Sequence, residues 1–521
     1  MDGTGTPWFR ADVGISDGRI VAVGELAREP AGRTVDVTGL VVSPGFIDIH
    51  THSDLQILVN PAHEAKVHQG VTLDVLGQDG LSYAPVDDGT LEALRVQLRG
   101  WNGDPSGFDW SWRSVAGYLD RIDRGVAVNA AYLVPHGSVR MLAVGMDDRP
   151  PSDDEMDRMK RLVAEGMEQG AVGMSAGLTY TPASYADDDE LVALCEVVAA
   201  YGGYYQPHHR NYGDRALQEY AACIEIGRRS KAPVQLTHAL LPFTVNEGRA
   251  PELLALVDKA RADGIDVTMD TYPYLAGCTY LHALLPAWTQ AGGPRETLAR
   301  LADPTLRQRL RLEMEEQGSD GFQGVPLGWE MVVVASVARP ENERWVGKNL
   351  AEAAAAAGKP VIDFYCELLI DEELGSLCLE FIGNEENLQT IMGHPAHMAG
   401  SDGLLAGSRP HPRAWGTFPR YLARYVRELG TLTLEQAIRK MTSLPASRLG
   451  FPDRGLLREG MAADVVCFDP ETVRDTATYE NPRQLPEGIP FVIVNGRIVV
   501  DYGRHTGDLP GRALRKRSIK R

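Results

Sequence analysis

Seven short apolar runs, at 46–49, 71–76, 126–134, 173–175, 203–208, 234–238 and 265–270, have the length and composition of buried strands. Amphipathic stretches such as 156–169 and 188–200 read as helices between some of them. An eighth strand is expected just before Ser401-Asp402. Strands alternating with helices in this number predict an α/β chain folded as a TIM-like (β/α)8 barrel, with its chemistry at the C-terminal ends of the strands. The interval 271–390 is too long for one βα unit. A break at Gly292-Gly293-Pro294 and a helix-rich run through Glu316 predict a subdomain inserted at roughly 286–350, over the barrel mouth.

The two ends of the chain follow another pattern. Residues 11–24 alternate apolar and polar around Asp17-Gly18, and residues 490–502 do so around Asn495-Gly496. Asp-Gly and Asn-Gly between alternating runs are hairpin signals. Residues 454–469 add a further strand-like stretch. A small β-sandwich built from 1–43 and 455–521, beside a barrel spanning 44–454, accounts for all three.

Composition narrows the function. The formal net charge of −19 argues against nucleic acid or an anionic membrane surface as partner. No apolar run reaches the ~18 residues of a membrane span, and no signal-peptide pattern opens the chain. The six cysteines are scattered, without a C-x-x-C pair, which points to a reducing, cytoplasmic setting. A small-molecule substrate remains, with homo-oligomer formation left open.

The strand ends carry the candidate chemistry. His50 and His52 close the run Pro44-Gly45-Phe46-Ile47-Asp48-Ile49. Residues two apart on a strand point the same way, so both imidazoles can converge on a divalent metal. His208 closes the run at 203–208, His238 closes the run at 234–238, and Asp402 lies in the turn Gly400-Ser401-Asp402-Gly403. Four histidines and an aspartate, spaced by whole βα units, are what a barrel brings together at its mouth. His136, in Val134-Pro135-His136-Gly137, ends the third strand and is a further candidate to line the site.

Gly45-Phe46-Ile47-Asp48-Ile49-His50-Thr51-His52 resembles the first-strand motif of the amidohydrolase superfamily. Over nearly the whole chain the resemblance narrows to the D-aminoacylases (N-acyl-D-amino-acid deacylases). It is carried by Phe108-Asp109-Trp110-Ser111-Trp112, Gly173-Met174-Ser175-Ala176-Gly177-Leu178-Thr179-Tyr180, Tyr205-Gln206-Pro207-His208-His209-Arg210, Asp270-Thr271-Tyr272-Pro273-Tyr274 and His411-Pro412-Arg413-Ala414-Trp415-Gly416-Thr417-Phe418-Pro419-Arg420. The resemblance implies that His208 and His238 hold the tighter zinc, that His50 and His52 line a second metal position, and that Asp402 is the catalytic acid/base. In similar proteins a strand precedes the Asp-Gly-Thr-Gly found here at 2–5, so this chain begins inside that pattern.

Two departures from the family stand out. Its bridging cysteine, in the loop after the second strand, is replaced by Asp79 in Gly77-Gln78-Asp79-Gly80. A carboxylate binds zinc at ~2.0–2.2 Å against ~2.3 Å for a thiolate, and as a harder ligand it brings Mn2+ or Fe2+ closer to Zn2+ in preference. With Ser175 at the fourth-strand end there is no lysine to form a carboxylated bridge. The family's sixth strand ends His-x-Lys, where the lysine helps to hold the substrate carboxylate; here the run is His238-Ala239-Leu240. Either Tyr180, Arg210, Tyr272 or Arg413 takes over, or the substrate lacks that carboxylate. The resemblance implies metal-dependent hydrolysis of N-acyl-D-amino acids. Leu240 keeps open a hydrolase of another amide, such as a cyclic ureide, lactam or dipeptide. A non-enzymatic scaffold is opposed by the complete ligand set.

Overall fold

The computed structural model describes residues 1–516. Eight parallel strands, Phe46–Asp48, Val71–Leu76, Asn129–Pro135, Gly173–Gly177, Tyr204–His208, Val234–Leu236, Val267–Thr271 and His397–Ala399, pair in chain order. Their residues are buried throughout, because helices cover the outer face while side chains fill the interior. This explains why the strands read as continuous apolar runs and not as alternations. The eighth strand meets the first through the segments that follow them. The backbone N–H groups of Ser401 and Asp402 donate to the His50 carbonyl at 3.1 and 2.7 Å, and His52 N–H donates to the Gly403 carbonyl at 3.0 Å. The seam of the barrel therefore sets His50, His52 and Asp402 side by side.

The chain ends fold together. Asp12–Ser16 and Arg19–Gly24 form an antiparallel hairpin. Its turn residues, Asp17 and Gly18, have φ of 48° and 76°, the backbone that an Asp-Gly turn tolerates. Val41–Pro44, preceding the barrel, pairs with Val465–Phe468, which follows it, in a five-stranded antiparallel sheet that also holds the Phe491–Val494 and Arg497–Asp501 hairpin. Ile20, Leu457, Val465, Cys467 and Phe491 form the core between the two sheets. Residues 517–521, the end of the expected 455–521 segment, lie outside the described residues.

The long interval after the seventh barrel strand holds a three-stranded antiparallel sheet, with Leu377–Phe381 central between Ala276–Tyr280 and Val332–Ser336. Two of these strands lie outside 286–350. The insertion has its own apolar core, around Leu281, Leu284, Trp329, Val334, Tyr365 and Leu369. Among the described residues no helix is long and apolar enough to cross a membrane. All six cysteines are buried free thiols.

Candidate metal centre

Two donor groups sit at the barrel mouth and share one member. His50, His52, Asp79 and Asp402 form one, and Asp79, His208 and His238 the other. Asp79 lies between four imidazoles. Its Oδ2 is 3.3 Å from His208 Nδ1, 3.5 Å from His52 Nε2 and 3.7 Å from His238 Nε2, and its Oδ1 is 3.6 Å from His50 Nε2. Asp402 Oδ1 is 3.1 Å from His52 Nε2 and 3.6 Å from His50 Nε2. His208 Nδ1 and His238 Nε2 face each other at 3.0 Å.

These side chains sit on strained backbone that their surroundings hold in place. Asp79, His238 and Asp402 have φ of 50°, 28° and 49°, a region costly for residues with a Cβ and maintained only where the surroundings over-determine it. At Asp79 the surroundings are Ser175 and Asp54. The Gly80 N–H donates to Ser175 Oγ at 2.9 Å, and the Gly77 N–H donates to Asp54 Oδ1 at 2.8 Å. At Asp402 they are a buried ion pair beneath the loop. Lys66 Nζ donates to Asp48 Oδ2 and to Ser401 Oγ, both at 2.6 Å, while Ser401 N–H donates to Asp48 Oδ1 at 2.8 Å.

Asp270 orients two of the histidines. Its Oδ1 lies 3.3 Å from His50 Nδ1 and accepts from the His238 N–H at 3.0 Å, while Gln235 Nε2 donates to its Oδ2 at 2.9 Å. Thr179 Oγ1 lies 2.7 Å from His208 Nε2, which leaves Nδ1 as the ring nitrogen facing Asp79. Such outer partners fix the tautomer and aim of a metal-binding imidazole. Sequence reasoning did not assign Asp270, Ser175 or Thr179 a role. All three lie within the quoted family stretches, but only the folded packing shows what they orient.

The donor set fits a divalent cation. His50 Nε2 and Asp79 Oδ1 are buried with no hydrogen-bond partner, although buried polar atoms ordinarily have one. Burial disfavours charge on His50, yet Asp402, Asp79 and Asp270 outweigh it and raise its pKa to about 9. Burial likewise opposes ionisation of Asp79, but the His50 and His208 charges hold it well below the usual carboxylate range. The ionised carboxylate draws positive charge into the cluster, which a metal held by neutral imidazoles would supply.

The cavity above is lined by His52, Asp79, His208, His238 and Asp402 below, and by Tyr180, Leu240, Tyr272 and residues of the insertion above. Tyr180 Oη is 3.1 Å from Thr279 Oγ1. Arg413 is fully buried beneath Tyr272, its guanidinium carbon 4.4 Å from the ring centroid. Arg413 Nη2 sits 3.1 Å from Asp402 Oδ2, while Nε and Nη1 have no partner. Of the residues expected to bind substrate, Tyr180 and Tyr272 line the cavity, whereas His136, Arg210 and Arg413 do not. His136 opens the helix His136–Ala143, and its Nε2 meets Glu190 Oε1 of the neighbouring helix at 2.8 Å. Arg210 is tied to Asp188 Oδ1 at 2.9 Å and to the Ala186 carbonyl at 2.6 Å. His209 turns away from the centre, stacking on Tyr212 at 3.7 Å between centroids.

An eight-stranded α/β barrel with shared carboxylate and imidazole donors at its mouth defines a metal-dependent barrel hydrolase. Residues 33–500 match the model of the amidohydrolase family, and the chain belongs to that family. It is 37% identical to the D-aminoacylase of Alcaligenes xylosoxydans xylosoxydans, over 99% of this chain and 95% of that protein. It is 36% identical to the N-acyl-D-glutamate deacylase of the same organism, again over 99% of this chain and 95% of that protein. The crystal structure of N-acyl-D-glutamate deacylase from Bordetella bronchiseptica, complexed with zinc and a phosphonate mimic of the tetrahedral intermediate, superposes with a TM-score of 0.83 at 34% identity, covering 99% of this chain and 97% of that one.

Proposed function

We propose that the protein hydrolyses the amide bond of N-acyl-D-amino acids, giving a carboxylate and a D-amino acid. The observation that carries this reading is the pair of donor groups sharing Asp79, in a chain aligned end to end with D-amino-acid deacylases. Those relatives also favour acyl-D-amino acids over a cyclic ureide or lactam as substrate.

His208, His238 and Asp79 would hold the tighter zinc, and His50, His52 and Asp402 a second, with Asp79 common to both. When bound, the metal lowers the pKa of a water towards ~7 and polarises the scissile carbonyl. Asp402 takes the proton of the attacking water and returns it to the leaving nitrogen. Arg413, 3.1 Å from Asp402, keeps that carboxylate ionised between turnovers: burial pushes its pKa up, but Arg413 and His50 bring it below the ordinary value. Tyr272, which lines the cavity, is the group offered to the substrate carboxylate in place of the lysine that Leu240 replaces, with the Arg413 guanidinium packed behind its ring. Tyr180 presents its ring and hydroxyl to the same cavity.

As functional units we take 1–43 with 455–521 for the β-sandwich and 44–454 for the barrel and its insertion. A cytoplasmic location accords with six unpaired cysteines. The test is hydrolysis of paired N-acetyl-D- and N-acetyl-L-amino acids, with zinc, manganese and cobalt added in turn. Turnover confined to the D series is expected; equal turnover of both series would overturn the reading.

A further inference from the structure

Glu380 is an acidic side chain in the cavity that the reaction does not use. It lies on the central strand of the insertion, Leu377–Phe381, directly opposite Gly277. A side chain at 277 would crowd it, since a Cβ there would stand 3.3 Å from Glu380 Oε2. The bare backbone opposite leaves the carboxylate room to face the cavity, which both residues line. Among the described residues Glu380 makes no side-chain hydrogen bond and no ion pair within 4.0 Å. The cavity lining also contains Asp79 and Asp402 but no lysine or arginine. Near the insertion the lining includes the apolar Leu240, Pro242, Phe243, Leu275 and Ile382, together with Thr279 and Gln323.

An unpaired carboxylate beside apolar side chains in a cavity is costly to keep ionised. Burial pushes the Glu380 carboxyl up to about 7 against the pull of Arg413. A second carboxylate on the substrate would meet like charge there. An ammonium or guanidinium on an aliphatic stem would lay the stem on these apolar side chains and pair its head with Glu380.

We propose that Glu380 makes this cavity select substrates bearing a positively charged group, an ammonium or guanidinium, on an aliphatic chain. The proposal rests on the deacylase reading for the reaction, and it names the substrate class. The charge belongs either to the side chain of the D-amino acid or to the acyl group, and product binding separates the two.

The experiment is titration calorimetry of the zinc-loaded enzyme with product pairs matched in length. D-Lysine against D-norleucine tests the amino-acid side, and 6-aminohexanoate against hexanoate tests the acyl side. In one pair the cationic member should bind ten- to hundred-fold tighter, the range of a charge-assisted hydrogen bond. E380Q should remove that preference while leaving the neutral member within about threefold, and its zinc content should match the parent. Equal binding within both pairs by the parent enzyme would overturn the proposal without any variant. A preference that survives in E380Q would also overturn it. Failure to turn over any N-acetyl-D-amino acid would refute the reaction assignment, while the binding data would still decide the role of Glu380.

Discussion

Replacing Asp402 with Asn separates its proposed role as a proton carrier from its contact with a buried arginine. The amide keeps the shape of the carboxylate and an oxygen to face His52 Nε2, now at 3.1 Å, but it does not shuttle a proton. General acid–base groups contribute ~10²–10⁴ in rate, equivalent to about 3–5 kcal/mol in the barrier at ~1.36 kcal/mol per factor of ten. The same change leaves the Arg413 guanidinium, fully buried, without its 3.1 Å counter-charge. Breaking a buried pair costs roughly 3–5 kcal/mol when nothing replaces the lost partner. Here the Cys278 carbonyl, which accepts from Arg413 Nη2 at 3.2 Å, and the Tyr272 ring remain. A loss nearer ~1–3 kcal/mol is therefore expected, as for a single buried hydrogen bond to a charged group. Three measurements on one preparation decide the matter: initial rates on an N-acetyl-D-amino acid, zinc by elemental analysis, and thermal or denaturant unfolding. The expected result is a kcat lower by ~100-fold or more, zinc held mainly by His208, His238 and Asp79 retained, and stability reduced. A kcat within a few-fold of the parent would refute the acid/base role. Loss of all bound zinc would show that Asp402 acts chiefly as a ligand.

Other consequences can be checked in parallel. His208→Ala and His238→Ala should each lose the tightly held metal and all turnover while far-UV circular dichroism stays parent-like, because neither ring belongs to the apolar core of the barrel; full metal content in either would cancel the ligand assignment. Asp79→Asn should weaken metal binding and turnover together, and Asp79→Cys should move the preference back towards zinc over manganese; parent-like behaviour of the Asn variant would reduce Asp79 to a turn residue. Gly177→Ala should destabilise the protein by ~1–3 kcal/mol, since a Cβ at 177 would lie 2.0 Å from the Asp79 carbonyl oxygen, and unchanged unfolding would show that the loop yields. For Glu380, raised in the fold from an ordinary 4.5 to about 7, the folded state binds more protons than the unfolded state between those values, so stability falls as pH rises through that window. The facing groups Arg413, Tyr272 and Cys278 do not titrate there, Tyr272 being raised well above its ordinary range and Cys278 up to about 12. The stability gain of Glu380→Gln over the parent should therefore be small near pH 5 and larger at pH 8; a gain independent of pH would contradict this.

The residue order by itself determined the barrel, the paired chain ends and most of the donor set. These rest on local signals: apolar runs of strand length, Asp17-Gly18 and Asn495-Gly496 turns, and histidines placed at the ends of strands. Each is a property of a few neighbouring residues, although the first strand ends at Asp48 and the barrel seam is what sets His50 and His52 beside Asp402. Tertiary structure decided which groups meet. His136 and Arg210 both follow predicted strands, yet helix packing turns one to Glu190 and the other to Asp188. Ser175 looked like the absence of a lysine, and in the fold it braces the loop that carries Asp79. Asp270 aims His50 and His238 across two strands, and Lys66 supports the Asp402 loop from 335 positions away along the chain. Glu380 gave no sign in the sequence, because its meaning depends on Gly277 opposite it and on an insertion folded over the barrel mouth. Electrostatic and packing partners at the site are set by distance in space, and distance in space follows from closure of the barrel seam and docking of the insertion, not from any short stretch of chain.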